Sequence, residues 1–167
     1  MVSNVANDGG LRERAWAAAS AVVDPEIPAL TIADLGVLRD VTVQDGVVEV
    51  VITPTYSGCP AMRMIELDIA MALERAGIAG AHVRTVLSPA WTTAWLSAEA
   101  RRKLLADGIA PPDEGKGRGA LFGAAAPACP RCGSRATELL AAFGSTACKA
   151  LWRCTECREP FHHFKCH

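Results

Sequence analysis

No apolar run in this chain reaches the roughly 18 residues that a membrane span requires. The opening stretch, MVSNVANDGG, holds neither the basic cluster nor the apolar core of a signal peptide. These two absences point to a soluble protein of the cytoplasm. Catalytic signatures are missing as well: there is no HExxH metalloprotease motif, no glycine-rich phosphate loop, and no flavin or nicotinamide fingerprint. The Glu-x-x-His helix pairs that a di-iron oxygenase uses are also missing.

Strong charge of either sign is lacking too, the formal net charge being -1. Residues 1–126 carry 11 Lys/Arg against 15 Asp/Glu, and residues 127–167 carry 6 against 3. The tail's small basic surplus is offset if four thiolates gather round a divalent ion there, so no phosphate-binding stripe forms. Nucleic-acid binding is disfavoured on this count.

What the chain does have is an uneven distribution of cysteine. Six of seven, Cys129, Cys132, Cys148, Cys154, Cys157 and Cys166, fall after position 128, leaving Cys59 alone before it. Two unlike modules follow from that split. Cytoplasmic thiols stay reduced, so clustered cysteines indicate a metal or redox chemistry before structural disulfides.

The first module reads as α, β, β, α, β, α. Residues 11–23 form an alanine-rich helix stopped by Asp24-Pro25. Valine-rich runs 37–43 and 47–52 flank Gln44-Asp45-Gly46, a hairpin turn whose Asp-Gly favours positive φ. A helix from about Pro60 to Ala76 places Met62, Ile65, Ile69, Ala72 and Ala76 on one face, with Gly77 as its C-terminal cap. Residues 82–87 give a third strand, and Ser97 caps a helix running to about Asp107. The fold class is α+β over residues 1–108. Residues 109–128, with Pro111, Pro112, Gly115, Gly117, Gly119, Gly123 and Pro127 and no apolar period, read as a linker to a second domain at 129–167.

In that second domain Cys129-Pro130-Arg131-Cys132 and Cys154-Thr155-Glu156-Cys157 make two C-x2-C pairs separated by 21 residues. Each pair folds into a knuckle that converges two sulfurs and nearby amides, and two knuckles close a tetrahedron of four thiolates, with zinc the expected ion and iron the alternative. About forty residues make too small a core to fold unaided, so such a site is structural. The competing reading of Cys129-Cys132 as a thioredoxin-like pair lacks the surrounding βαβ pattern. Cys148, Cys166, His162, His163 and His167 exceed one tetrahedral ion: either Cys148 packs as a small hydrophobe while the histidines lie on a solvated tail, or these residues form a second, labile site.

Cys59 follows Ser57-Gly58 and precedes Pro60, at or just before a helix N-terminus. Free amides there lower a thiol pKa, and Gly58 leaves the sulfur open to approach, which suits a reactive or metal-handing thiol; a plain packed cysteine is the other reading. His82 is the module's one histidine, and no third group is evident to orient it for a Cys/His nucleophile. Trp91 and Trp95 read as core.

Three stretches, DPEIPALTIADLGVLRDV (24–41), TPTYSGCPAM (53–62) and Trp91 to Leu104, resemble the iron-sulfur assembly domain shared by SufT and eukaryotic cytosolic assembly factors. The tail segments CPRCGS, FGSTACKALWRC and REPFHHFKCH narrow the resemblance to the PaaD family, accessory subunits of the phenylacetyl-CoA ring-epoxidising monooxygenase. The resemblance implies a small α/β sandwich with a three-stranded sheet, followed by a β-rich zinc ribbon. It further implies a maturation factor, not an enzyme, that assists iron-sulfur assembly or delivery to the oxygenase reductase. Cys59 would be the functional thiol, with a transiently held iron-sulfur cluster as cargo and Asp34 as its neighbour. Cys129, Cys132, Cys154 and Cys157 would hold zinc, and Cys148 and Cys166 also fit the tail pattern. The partners implied are the reductase, other epoxidase subunits and iron-sulfur assembly proteins, with a homodimer among the compatible assemblies. A scaffold whose ribbon merely docks on an oxygenase subunit is the alternative.

Overall fold

In a computed structural model the described residues are 3–112 and 126–165. They divide into two compact units, residues 1–91 and 92–167.

The first unit opens with helix α1 (Ser3–Ser20). It begins well before the expected Leu11 and runs through Gly9-Gly10, two residues that each cost a helix interior about 1 kcal/mol. It also ends three residues before the expected Val23. Val22 and Val23 are drawn into an extended segment instead, where the Ile32 N–H donates to Val22 O and Val23 bridges Thr31. Strands β1 (Leu38–Gln44) and β2 (Val47–Ile52) pair antiparallel about Asp45-Gly46, both at positive φ (53° and 79°), as the Asp-Gly signal requires. Helix α2 (Met62–Arg75) then crosses over to β3 (His82–Thr85), which pairs parallel with β2. The sheet order is β1-β2-β3. Residues 86 and 87 lie beyond the third strand, shorter than expected.

Alternation puts Val41, Val48, Val50 and Ile52 in the core with Ala15 and Ala19 of α1 and Ile65, Ile69 and Leu73 of α2. The i, i+4, i+8 spacing of that last set is the buried stripe of α2, and Leu73 occupies the place expected of Ala72. Trp91 is core, as expected, its indole N–H donating to Leu35 O at 2.8 Å.

The second unit begins with a 3-10 turn (Thr93–Trp95) and helix α3 (Ala98–Ala106), whose cap is the expected Ser97 accepting from Ala100 N. Strand β4 (Ile109–Ala110) follows at once. It pairs parallel with β7 (Pro160–Phe164), so the stretch read as the start of a linker is part of a sheet. The rest of that sheet is antiparallel: β5 (Thr137–Ala141), β6 (Lys149–Cys154) and β7, in the order β4-β7-β6-β5. Helix α3 thus falls in the same compact unit as the cysteine-rich sheet, and the expected domain end at residue 108 lies inside that unit. Among the described residues no helix is long and apolar enough to cross a membrane.

Candidate metal centre and thiol site

The cysteine-rich unit brings its two C-x2-C pairs to one point. The sulfurs of Cys129, Cys132, Cys154 and Cys157 all lie within 4.8 Å of one another. Cys129 Sγ stands 3.7 Å from Cys157 Sγ, and Cys132 Sγ 3.6 Å from Cys154 Sγ. A disulfide would need about 2.05 Å. Four sulfurs at about 2.3 Å from one tetrahedral ion stand roughly 3.8 Å apart, so this set fits a metal.

Local backbone structure explains the convergence. In the first knuckle the Cys129 N–H donates to Ser134 O (2.8 Å), and in the second the Cys154 N–H donates to Glu159 O (3.0 Å), the same five-residue closure. Both knuckles place the residue after the second cysteine in the left-handed region: Gly133 at φ 75° and Arg158 at φ 63°. Glycine at the first site was a visible signal; arginine at the second was not. Backbone N–H groups face the sulfurs, Ser134 toward Cys132, Cys157 and Glu156 toward Cys154, and Glu159 toward Cys157. Such amides favour thiolates.

Crowding of the sulfurs splits the proton affinities of Cys132 and Cys154. The Cys157 and Glu156 amides hold Cys154 down at about 7 despite burial. Cys132, although drawn down by the Ser134 amide, is pushed up to about 12 by the neighbouring sulfurs of Cys154, Cys157 and Cys129 together with desolvation. A cation relieves that repulsion by letting all four deprotonate.

Cys148, His162 and His163 are not members of this cluster. Cys148 is buried, its sulfur 3.1 Å from Thr146 Oγ1, and it is not one of the four clustered sulfurs. His162 and His163 are not on a solvated tail, as one reading had it: both are half-buried members of β7. His163 meets Trp152 edge to face at 6.4 Å, and burial together with Lys149 lowers the pKa of His162. Cys166 and His167 fall outside the described residues.

Cys59 sits on the loop between β2 and α2, three residues before the first helical residue. Its N–H donates to Tyr56 O (3.2 Å), and its half-buried sulfur takes hydrogen bonds from the Ala61 amide and the Tyr56 side chain. The amide is the helix-terminal contact foreseen, but the net effect is opposite to the expected one. Burial pushes the thiol up, the Ala61 amide only partly counters it, and the carboxylates of Glu26 and Asp24 push it further. A Cβ at Gly58 would meet only the Tyr56 ring, at 3.8 Å, so open space does not demand glycine there.

Asp34 is engaged with its own turn: Thr31 N–H donates to its Oδ2 (3.0 Å) and its N–H donates to Thr31 Oγ1 (3.1 Å), a reciprocal capping pair. The acids that act on Cys59 are Glu26 and Asp24, which sequence reasoning missed although both stand in the D-P-E run. Asp24 is itself fixed, accepting from the Glu26 and Ile27 amides at 2.8 Å each.

These two sites fall in segments that match known families. Residues 113–165 match the PaaD zinc beta ribbon domain, and residues 12–88 match the iron-sulfur cluster assembly protein family. Across 154 residues, 90% of each chain, the sequence is 47% identical to a protein of Escherichia coli (strain K12) that is provisionally named as a component of 1,2-phenylacetyl-CoA epoxidase. The chain belongs to the PaaD family. The PaaD-type ribbon is joined here to an assembly-type first unit with relatives of its own. An Fe-S protein maturation auxiliary factor of Porphyromonas gingivalis is 38% identical over 85 residues, 50% of this chain and 80% of that one. A crystal structure of a domain of unknown function, DUF59, from Bacillus anthracis superposes with a TM-score of 0.56 at 27% identity, covering 60% of this chain and 97% of the other.

Proposed function

We propose that this protein is an accessory subunit of a phenylacetyl-CoA epoxidase system, without catalytic chemistry of its own, that helps to assemble iron-sulfur clusters or pass them to the reductase component through Cys59. The observation that carries this reading is the setting of the Cys59 sulfur: half-buried, held by the Ala61 amide and Tyr56, and faced by two carboxylates, within the segment matched by the iron-sulfur assembly family. A thiol kept protonated by nearby acids resists stray alkylation and oxidation, since the thiolate is the nucleophile. The same acids attract an incoming iron cation, which displaces the proton as it binds. Asp34, through the Thr31 turn, would steady the segment that carries Asp24 and Glu26.

On this reading the ribbon's four thiolates hold zinc as a structural ion, and the partners are the reductase, other epoxidase subunits and iron-sulfur assembly proteins of the cytoplasm. The scaffold reading has one observation in its favour. Leu139, Leu140 and Phe143, at 51%, 47% and 64% exposure, leave apolar surface on and beside β5. The experiment that separates the two is the cluster occupancy of the reductase produced with wild-type helper, with Cys59→Ser, or with none. Occupancy should rise with the wild type alone, while the variant folds and keeps its ribbon metal. Equal occupancy with wild type and variant, both above the no-helper level, would support the scaffold.

A further inference from the structure

The four ligand sulfurs are not equivalent. Cys129 and Cys154, the first cysteine of each pair, are 2% and 0% exposed, and they pack with Ala110 and Phe161 under the Trp152 ring. Trp152 Nε1 finds no hydrogen-bond acceptor among the described residues, so the indole stands there as an apolar wall at some cost to its own N–H. Cys132 and Cys157, the second cysteine of each pair, are exposed. One face of the site is thus walled and the other is open to solvent. Two contacts that cross between the pairs are short: Cys132 Sγ to Cys154 Sγ at 3.6 Å and Cys157 Sγ to Cys129 Sγ at 3.7 Å. Each exposed sulfur has a buried sulfur of the opposite knuckle beside it.

We propose that the ribbon's metal site is a peroxide-sensitive switch, attacked first at Cys132 and Cys157 and closed by disulfides between the knuckles, Cys132–Cys154 and Cys129–Cys157, with release of the ion. An exposed thiolate attacks hydrogen peroxide, the O–O bond breaks, the sulfur gives up two electrons to become a sulfenic acid, and hydroxide leaves. The neighbouring buried thiolate then attacks that sulfur, the S–S bond forms, the S–O bond breaks, and a second hydroxide leaves. Each disulfide consumes one peroxide. With its ligands oxidised the ion has no thiolates to hold it, and the unit loses the stabilisation that binding supplied.

The inference rests on the metal reading of the ribbon and is independent of Cys59. Failure of the metal reading would appear separately, as untreated protein without bound metal. The test uses the full chain purified with zinc. A limiting amount of N-ethylmaleimide, followed by digestion and mass spectrometry, should modify Cys132 and Cys157 at least tenfold ahead of Cys129 and Cys154. Hydrogen peroxide in the presence of a chromophoric zinc indicator should release one equivalent of zinc, and the oxidised peptides should be joined across the knuckles.

A cavity of about 490 Å³ borders Cys129, Pro130 and Gly133 and offers a rival route. Labelling of Cys129 together with Cys132 would show that reagent enters there, and would overturn the order proposed. Disulfides within the pairs, Cys129–Cys132 and Cys154–Cys157, or peroxide treatment without zinc release, would overturn the switch. Trp152→Ala should hasten labelling of Cys129 and Cys154 while zinc content stays at one. If that variant fails to bind zinc, the labelling order and disulfide map of the wild type still decide the question.

Discussion

Cys59 is held between opposing influences, and the balance makes a definite prediction. Burial, then Glu26 and Asp24, raise its pKa against the Ala61 amide and Tyr56. Replacing Glu26 by glutamine removes one of the raising charges, so alkylation of Cys59 by iodoacetamide at pH 7.5 should become faster than in the wild type; an unchanged or slower rate would contradict the role given to that carboxylate. The sign for stability follows from the same shift. The folded state holds the thiol proton to higher pH than the unfolded chain does, so this group's contribution is intact below the ordinary thiol range and is lost as pH rises from there through the raised value. Cys59→Ser should therefore flatten the decline of stability on the alkaline side in pH-dependent urea melts. Asp34→Ala tests a different claim, because the Asp34 side chain closes the Thr31 turn: loss of a capping side chain costs about 1 kcal/mol, readable as a lower urea midpoint. At this scale the position of Cys59 shortly before a helix was legible from Gly58-Cys59-Pro60. The direction of its pKa was not, because Glu26 and Asp24 reach the sulfur from a segment some thirty positions away in sequence.

The two knuckles are the same element built with different residues, which makes them a natural comparison. Gly133 and Arg158 occupy matching left-handed positions. A residue with a Cβ pays roughly 1–2 kcal/mol in that region, less what glycine loses in unfolded-chain entropy. Arg158→Gly should therefore tighten metal binding, by up to about fivefold for 1 kcal/mol, and Gly133→Ala should weaken it; competition with a chelator of known affinity reads both. A tighter site in Gly133→Ala would show that the second unit relaxes around this position. Elements of this kind were largely legible: the C-x2-C pairs, the Asp45-Gly46 hairpin, the Ser97 cap and the apolar stripe of α2 are all local signals. Strand β4 was not, because two residues carry no periodicity and Ile109-Ala110 become a strand only by pairing with His162 and His163, more than fifty residues on. The start of α1 was hidden for the opposite reason, since Gly9-Gly10 advertise a break that the helix overrides.

At the scale of the whole chain, the question is which residues fold only because the metal is there. Sequence reasoning drew the line at residue 108 and placed α3 with the first module. The structure groups Thr92–His167 as one compact unit, with β4 hydrogen-bonded to β7 and packed against α3, and Ala110 in the cluster that walls the metal ligands. Metal binding to such a site is worth on the order of 10 kcal/mol, more than a small ribbon core provides by itself. Cys154→Ser removes the most buried of the four sulfurs and should reduce bound metal from one equivalent toward zero. Hydrogen exchange then distinguishes the two boundaries. If α3 belongs with the ribbon, amides of α3 and β4 should lose protection together with those of β5, β6 and β7, while β1, β2, β3 and α2 keep theirs. The first unit should retain its core because Ile65, Ile69 and Leu73 pack within residues 1–91 and owe nothing to the ion. Protection of α3 that persists in a metal-free variant would support the boundary at 108, and metal content unchanged in Cys154→Ser would remove the four-cysteine site altogether.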